Sequence, residues 1–193
     1  MQIGLYFGTF NPIHIGHLII ANYMVENTDL DEVWLVVTPH NPLKDKRTLL
    51  DDHHRLYMVQ LAINDYPKLR ASDVEFKMTQ PNYTVHTLAH LTDKFPKHTF
   101  SLIMGEDNLL SIHKWKNYQQ ILANHKIYVY PRITGLKSED LTIDTTNIHQ
   151  VDSAIMEISA TDIRQGIKVG KNVRPMLPET VWQYIDHNLF YRK

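Results

Sequence analysis

Two histidines stand three residues apart in the run Gly8-Thr9-Phe10-Asn11-Pro12-Ile13-His14-Ile15-Gly16-His17. Residues at that spacing share a helix face, so imidazoles at 14 and 17 project together if a helix starts there. The first turn of a helix offers unpaired backbone N–H groups and the positive end of its dipole, which together attract phosphate. A neutral imidazole adds one N–H donor, and a phosphate beside it opposes the dipole's tendency to lower its pKa. Gly8 lets the backbone approach a ligand closely, and Gly16 permits tight packing of helix on strand. The pattern suits the holding of a nucleoside triphosphate more than acid–base work. It is no P-loop, because the Gly-Lys-Ser/Thr element is missing. Either histidine alone reads as a chance helix cap; the pair, after a glycine turn and a strand, reads as a site.

The elements that must position this pair are legible as alternating runs. Strand-like segments are Gln2–Phe7, Glu32–Thr38, Arg70–Phe76, Thr99–Met104, Lys126–Tyr130 and Ile148–Val151. Helix-like segments are Ile15–Asn27, Asp51–Tyr66, Thr84–Phe95, Leu109–Ala123, Ala160–Ile167 and Glu179–His187, the last two forming a C-terminal helical segment. Asp51 and Ser159 fit as N-caps, and Pro67 and Pro96 close the helices before them. Short, near-continuous apolar strands separated by helices predict an α/β, doubly wound, mostly parallel sheet with right-handed crossovers. The polar stretch Arg132–Asn147 reads as a surface loop. Such sheets bind ligands beyond the carboxyl ends of their strands. Candidate motifs follow Phe7, Thr38 and Met104.

Composition sets the outer limits. The chain has 193 residues, 43% hydrophobic and 21% charged, the profile of one ordinary globular domain spanning 1–193. A net charge of −1 gives no reason to expect nucleic acid or an anionic membrane as partner. With no cysteine, disulfides, thiolate metal sites and a Cys nucleophile are excluded. The start "MQIGLYFG" lacks the apolar length and basic flank of a signal peptide, and no apolar run approaches a membrane span. A cytoplasmic location is expected; a homo-oligomer is left open. His86 and His90 stand four apart, but "TLA" between them lacks the Glu of His-Glu-x-x-His, and His53–His54 cannot share a helix face. No protein metal site is expected.

"GTFNPIHIGH" resembles the signature of the nucleotidyltransferase superfamily, whose fold also underlies class I aminoacyl-tRNA synthetases. A second element, "ISATDIR" (Ile158–Arg164), resembles the Ile-Ser-x-Thr-x-Ile-Arg motif that such enzymes place over the triphosphate. Along nearly its whole length the chain is similar to bacterial nicotinate-nucleotide adenylyltransferases. "PHNPLK" (Pro39–Lys44) stands at that family's Pro-rich loop, and "HRLYMVQLAI" resembles the helix after it, with Arg55 and Met58 in place. "NYTVHTL" matches its Tyr-Thr-x-x-Thr-Leu segment, and "MGEDNL" with "HKWKNYQQIL" its Gly-x-Asp turn and downstream tryptophan. The chain departs from the family at Phe7-Gly8, where a Gly-Gly pair is common, at Asn11, where Asp is common, and at Glu106, where a small residue is usual.

The resemblance implies transfer of the adenylyl group of ATP to nicotinate mononucleotide, with Mg²⁺ bridging triphosphate oxygens. His14 and His17 would hold the α- and β-phosphates, Lys44 and Arg164 would neutralise charge, and Ser159 and Thr161 would donate hydrogen bonds. Gly8, Thr9 and Phe10 would line the adenylate. Gly105 and Asp107 would serve the nucleoside, and Trp115 would stack on the pyridine ring. Backbone N–H groups near Thr84–Val85 and Trp115–Lys116 would meet the nicotinate carboxylate. From the residues alone, Trp115 reads as core packing with Tyr118 and Leu122, and Thr84 as an N-cap. Lys44 reads as one of several solvated charges, and Asp107 as turn former or ligand. Two alternatives stand beside this reading. One is an adenylyltransferase for nicotinamide mononucleotide or another phosphate acceptor. The other is a synthetase-related tRNA-binding module, disfavoured by chain length, by the late motif and by the lack of basic excess.

Overall fold

The computed structural model describes residues 1–39, 49–132, 143–155 and 157–192. The apolar runs form six strands, β1 (Gln2–Gly8), β2 (Glu32–Val37), β3 (Leu69–Ser72), β4 (Thr99–Gly105), β5 (Ile127–Tyr130) and β6 (Ile148–Gln150). They lie in one sheet of order β3-β2-β1-β4-β5-β6, with every neighbouring pair parallel. Successive side chains of a strand face opposite ways. Val33, Leu35 and Val37 accordingly enter one hydrophobic cluster, while Trp34 and Val36 enter the other. Burial on both faces is why the strands read as continuous apolar runs and not as alternating ones.

Helices α1 (Ile15–Asn27), α2 (Asp52–Ile63), α6 (Ala160–Lys168) and α7 (Glu179–His187) supply the cluster on one face. Helices α3 (Thr84–Lys94), α4 (Glu106–Leu110) and α5 (Tyr118–Asn124) supply the other. The strand order reverses direction between β1 and β4, which opens a crevice beyond their carboxyl ends. Among the described residues, no helix is long and apolar enough to cross a membrane.

The two expected caps form: Asp51 Oδ1 accepts from the His53 N–H at 2.9 Å, and Ser159 Oγ from the Asp162 N–H at 3.1 Å. Two segments differ from expectation. The strand expected over Arg70–Phe76 ends at Ser72, and Val74–Lys77 turns as a 3₁₀ helix. β3 is an edge strand whose last pairing is Val36 with Ser72, one residue before β2 ends. The single helix expected over Leu109–Ala123 is broken into α4, a 3₁₀ turn at Ile112–Lys114, and α5. Trp115 is extended (φ −80°, ψ 144°) and Asn117 left-handed (φ 52°), a conformation Asn tolerates well. Of the loop expected over Arg132–Asn147, residues 133–142 lie outside the described residues.

Candidate active site

The chain leaves β1 at Gly8 and turns through Phe10, which is left-handed (φ 44°) and buried, before α1 begins. A Cβ on Gly8 would lie 2.9–3.2 Å from the Phe10 ring, so that ring can fold back only over a glycine. Phe10 also meets the His17 ring edge-on at 5.0 Å. His14 is the N-cap of α1, one residue outside the helix, and His17 is its third residue. Their rings stack at 3.7 Å. The His14 N–H donates to His17 Nδ1 at 3.2 Å, so in the neutral His17 ring the proton sits on Nε2. His14 is buried, and that burial, with the field of Arg132, pushes its pKa down to about 4. The His14 ring is thus a neutral imidazole at pH 7. His14 Nδ1 is buried with no hydrogen-bond partner among the described residues.

The late motif meets this turn in space. A Cβ on Gly16 would lie 3.1 Å from His14 Nδ1 and 3.6 Å from Ile158 Cβ, so the start of α1 packs against Ile158. Ser159 caps α6 and also donates to Asp162 Oδ2 at 2.7 Å. One helical turn on, Arg164 Nη1 donates to the Asn11 carbonyl at 2.7 Å, and Nη2 to Thr161 Oγ1 at 3.2 Å. Asn11 is itself buried, and its Oδ1 accepts from the Leu50 N–H at 3.2 Å and the Tyr191 hydroxyl at 2.8 Å.

Arg55 braces the turn from beneath. It is wholly buried on the first turn of α2, donating to the carbonyls of Leu50 (2.8 Å), Thr9 (2.5 Å), Thr38 (3.0 Å) and Pro39 (3.3 Å), and to Asp52. One guanidinium thereby ties the loops that follow β1 and β2. Pro39 begins the "PHNPLK" loop; Lys44 lies outside the described residues.

Across the switch point, Gly105 ends β4 and Asp107 follows on the exposed first turn of α4. A Cβ on Gly105 would collide with the Asp107 carboxylate. Thr84 and Val85 are the first two residues of α3, with Tyr83 as its N-cap. Thr84 is therefore not the cap, and at these two positions the N–H groups have no intrahelical acceptor. Trp115 is half-buried against the second cluster, and Lys116 Nζ lies 4.5 Å over the Tyr83 ring. The break after α4 thus brings Trp115–Lys116 beside the start of α3. The Trp115 N–H donates to the Ile112 carbonyl at 2.8 Å, so the donor expected there is taken.

Sequence reasoning missed Arg132, which follows β5. Its N–H donates to Glu106 Oε2 at 2.9 Å, its Nε stands 3.9 Å from Asp107 Oδ1, and its guanidinium lies 5.3 Å over the Tyr130 ring. Tyr130 and the buried Tyr6 place their hydroxyls 3.3 Å apart. Glu106, a departure from the family pattern, thus ties the end of β5 to the end of β4. The signal was present: β5 is a central parallel strand, and its carboxyl end faces the same crevice.

A family model described as cytidylyltransferase-like matches residues 5–166. A Flavobacterium psychrophilum protein named probable nicotinate-nucleotide adenylyltransferase is 66% identical, covering all of both chains. A Flavobacterium johnsoniae protein of the same name is 62% identical over all of both chains. Among solved structures, Plasmodium falciparum nicotinic acid mononucleotide adenylyltransferase complexed with NaAD superposes with TM-score 0.81 at 20% identity, covering 98% of this chain and 97% of that one. That likeness is one of fold. Taken with the two motifs that meet at Asn11, the full-length identities make the chain a member of the nicotinate-nucleotide adenylyltransferase family, within the cytidylyltransferase-like nucleotidyltransferases.

Proposed function

We propose that the chain transfers the adenylyl group of ATP to nicotinate mononucleotide, giving nicotinate adenine dinucleotide and pyrophosphate. The observation that carries this is the Arg164–Asn11 bond, 153 residues apart in sequence, which brings both superfamily motifs together. The names of the full-length relatives support the acceptor. A 5′-phosphate oxygen of the mononucleotide forms a bond to the α-phosphorus of ATP as the bond from that phosphorus to the bridging oxygen breaks, and pyrophosphate leaves with the electron pair. The protein positions the two phosphates and stabilises charge. In this reading His14 and His17 donate to the α- and β-phosphates, with Ser159 and Thr161 beside them, and Lys44 and Arg164 neutralise the triphosphate. Gly8, Thr9 and Phe10 line the adenylate. Gly105 and Asp107 serve the mononucleotide's ribose, Trp115 stacks on its ring, and the N–H groups of Thr84, Val85 and Lys116 meet its carboxylate.

Among the described residues no group of three His, Cys, Asp or Glu could hold a metal. The donors at the turn are imidazoles and a guanidinium, which suit phosphate and not a hard cation. Mg²⁺ fits as the counter-ion of the triphosphate, held by its oxygens, where it would offset their charge. One domain over 1–193 in the cytoplasm completes the proposal. The test is pyrophosphate release from ATP across a panel of phosphate acceptors. Release with nicotinate mononucleotide is expected; turnover of another acceptor with none of this one would refute the reading.

A further inference from the structure

We propose that the segment following α7 belongs to the phosphate-binding apparatus: the Tyr191 hydroxyl holds Asn11, which holds Arg164, so Tyr191 is a positioning residue for adenylyl transfer. The inference rests on reading Arg164 as a ligand of the triphosphate. Three observations carry it.

First, the segment takes an unusual path to reach the site. Leu189 (φ 57°) and Tyr191 (φ 63°) are both left-handed, a region that large side chains seldom occupy and that persists where the surroundings over-determine it. Here the surroundings are specific. The Phe190 N–H donates to the Ile185 carbonyl at 3.1 Å, and the Phe190 ring packs on His54 at 4.9 Å and on Tyr184 at 5.7 Å. His54 Nδ1 is in turn 2.8 Å from the Tyr184 hydroxyl. Phe190 is the anchor, and the strained residues on either side of it deliver Tyr191.

Second, Tyr191 arrives at the turn after β1. Its hydroxyl donates to Asn11 Oδ1 at 2.8 Å, 180 residues away in sequence. Burial pushes its pKa well up, while the charges of Arg164 and Arg55 act on the same oxygen, so it remains a neutral donor among cations.

Third, Asn11 passes the constraint on. Its side chain also receives the Leu50 N–H, at the carbonyl of which Arg55 is bound, and its own carbonyl receives Arg164 Nη1 at 2.7 Å. With Asn11 fixed at both its amide and its carbonyl, the guanidinium is held before any nucleotide binds. Without the hydroxyl, part of the ordering falls on ATP, which weakens its use.

Steady-state kinetics of the full chain with ATP and nicotinate mononucleotide varied in turn will test this. Tyr191→Phe keeps the ring and removes one hydrogen bond. The expected result is an increase of about 3- to 10-fold in KM for ATP, with KM for the mononucleotide changed less than about 2-fold. Because the two residues act in series, adding Tyr191→Phe to Asn11→Ala should raise KM for ATP no further. A purely structural role would lower Tm and leave both KM values alone, and that result overturns the inference. So does an equal loss on both substrates, or full additivity in the double variant. Arg164→Ala, measured alongside, separates the two readings. If it raises KM for ATP while Tyr191→Phe does not, only the positioning role falls; if it does not, the phosphate role of Arg164 falls first.

Discussion

At His14 the fold removes an imidazole from water and sets it in the field of the Arg132 cation, and the consequence is measurable. Its pKa falls from 6.5 to about 4, so between those values the unfolded chain takes up a proton that the folded one refuses. The stability contributed by the neutral ring is therefore complete above about pH 6.5 and is lost as pH falls toward 4, at most on the order of 3 kcal/mol. Denaturant titrations at pH 4.5 and 7.5 should show this loss in the wild type and a smaller one in His14→Asn; equal losses would remove the assignment. In the proposed mechanism His17 bears on chemistry more than on folding, its ring being oriented by the His14 N–H at Nδ1. His17→Ala should lower kcat by roughly 10²-fold, as loss of one preorganised donor does, with Tm nearly kept. Wild-type turnover in that variant at saturating substrates would contradict the role. Arg164→Ala should impair use of ATP far more than use of the mononucleotide, and the reverse split would move the late motif to the other substrate.

At the scale of elements, hydrophobic period located every strand and most helices, because burial on both sheet faces writes itself into consecutive apolar residues. It could not locate the break after α4. Leu109, Ile112, Trp115, Tyr118 and Leu122 follow one another at steps of three or four across it and all reach the same cluster, so the pattern is continuous where the backbone is not. No glycine or proline marks the break; Asn117 is the single residue suited to its left-handed position. Contacts between distant carboxyl ends of strands are equally illegible, which is why Arg132 reads as the start of a loop and Arg55 only as a family position. In the proposed reaction the break has a use, since it brings the Trp115–Lys116 segment beside the start of α3. Asn117→Val should therefore cost about 1–2 kcal/mol through its backbone and raise KM for the mononucleotide, while Asn117→Gly does neither. Thermal melts and KM together check this, and a Val variant with unchanged KM would detach the break from the ring site. Trp115→Ala should weaken both pyridine mononucleotides while leaving their ratio nearly unchanged, since stacking is blind to the carboxyl group.

Over the whole molecule, the reversal of strand order at β1 and β4 divides the labour. In the proposed reaction the turn after β1 and the late motif handle phosphate on one side, and α3 with the Trp115 segment stands on the other. This second side, on the same proposal, selects an acid. The first N–H groups of α3 and the positive end of its dipole suit a carboxylate. A carboxamide would turn its own NH₂ toward those donors, at about 1–3 kcal/mol for each unpaired buried group, with the charge-assisted bonds lost as well. The most direct measurement is kcat/KM for nicotinate mononucleotide and for nicotinamide mononucleotide, with ATP saturating. A preference of about 10²-fold or more for the acid is expected. Equal efficiency, or a preference for the amide, would contradict it.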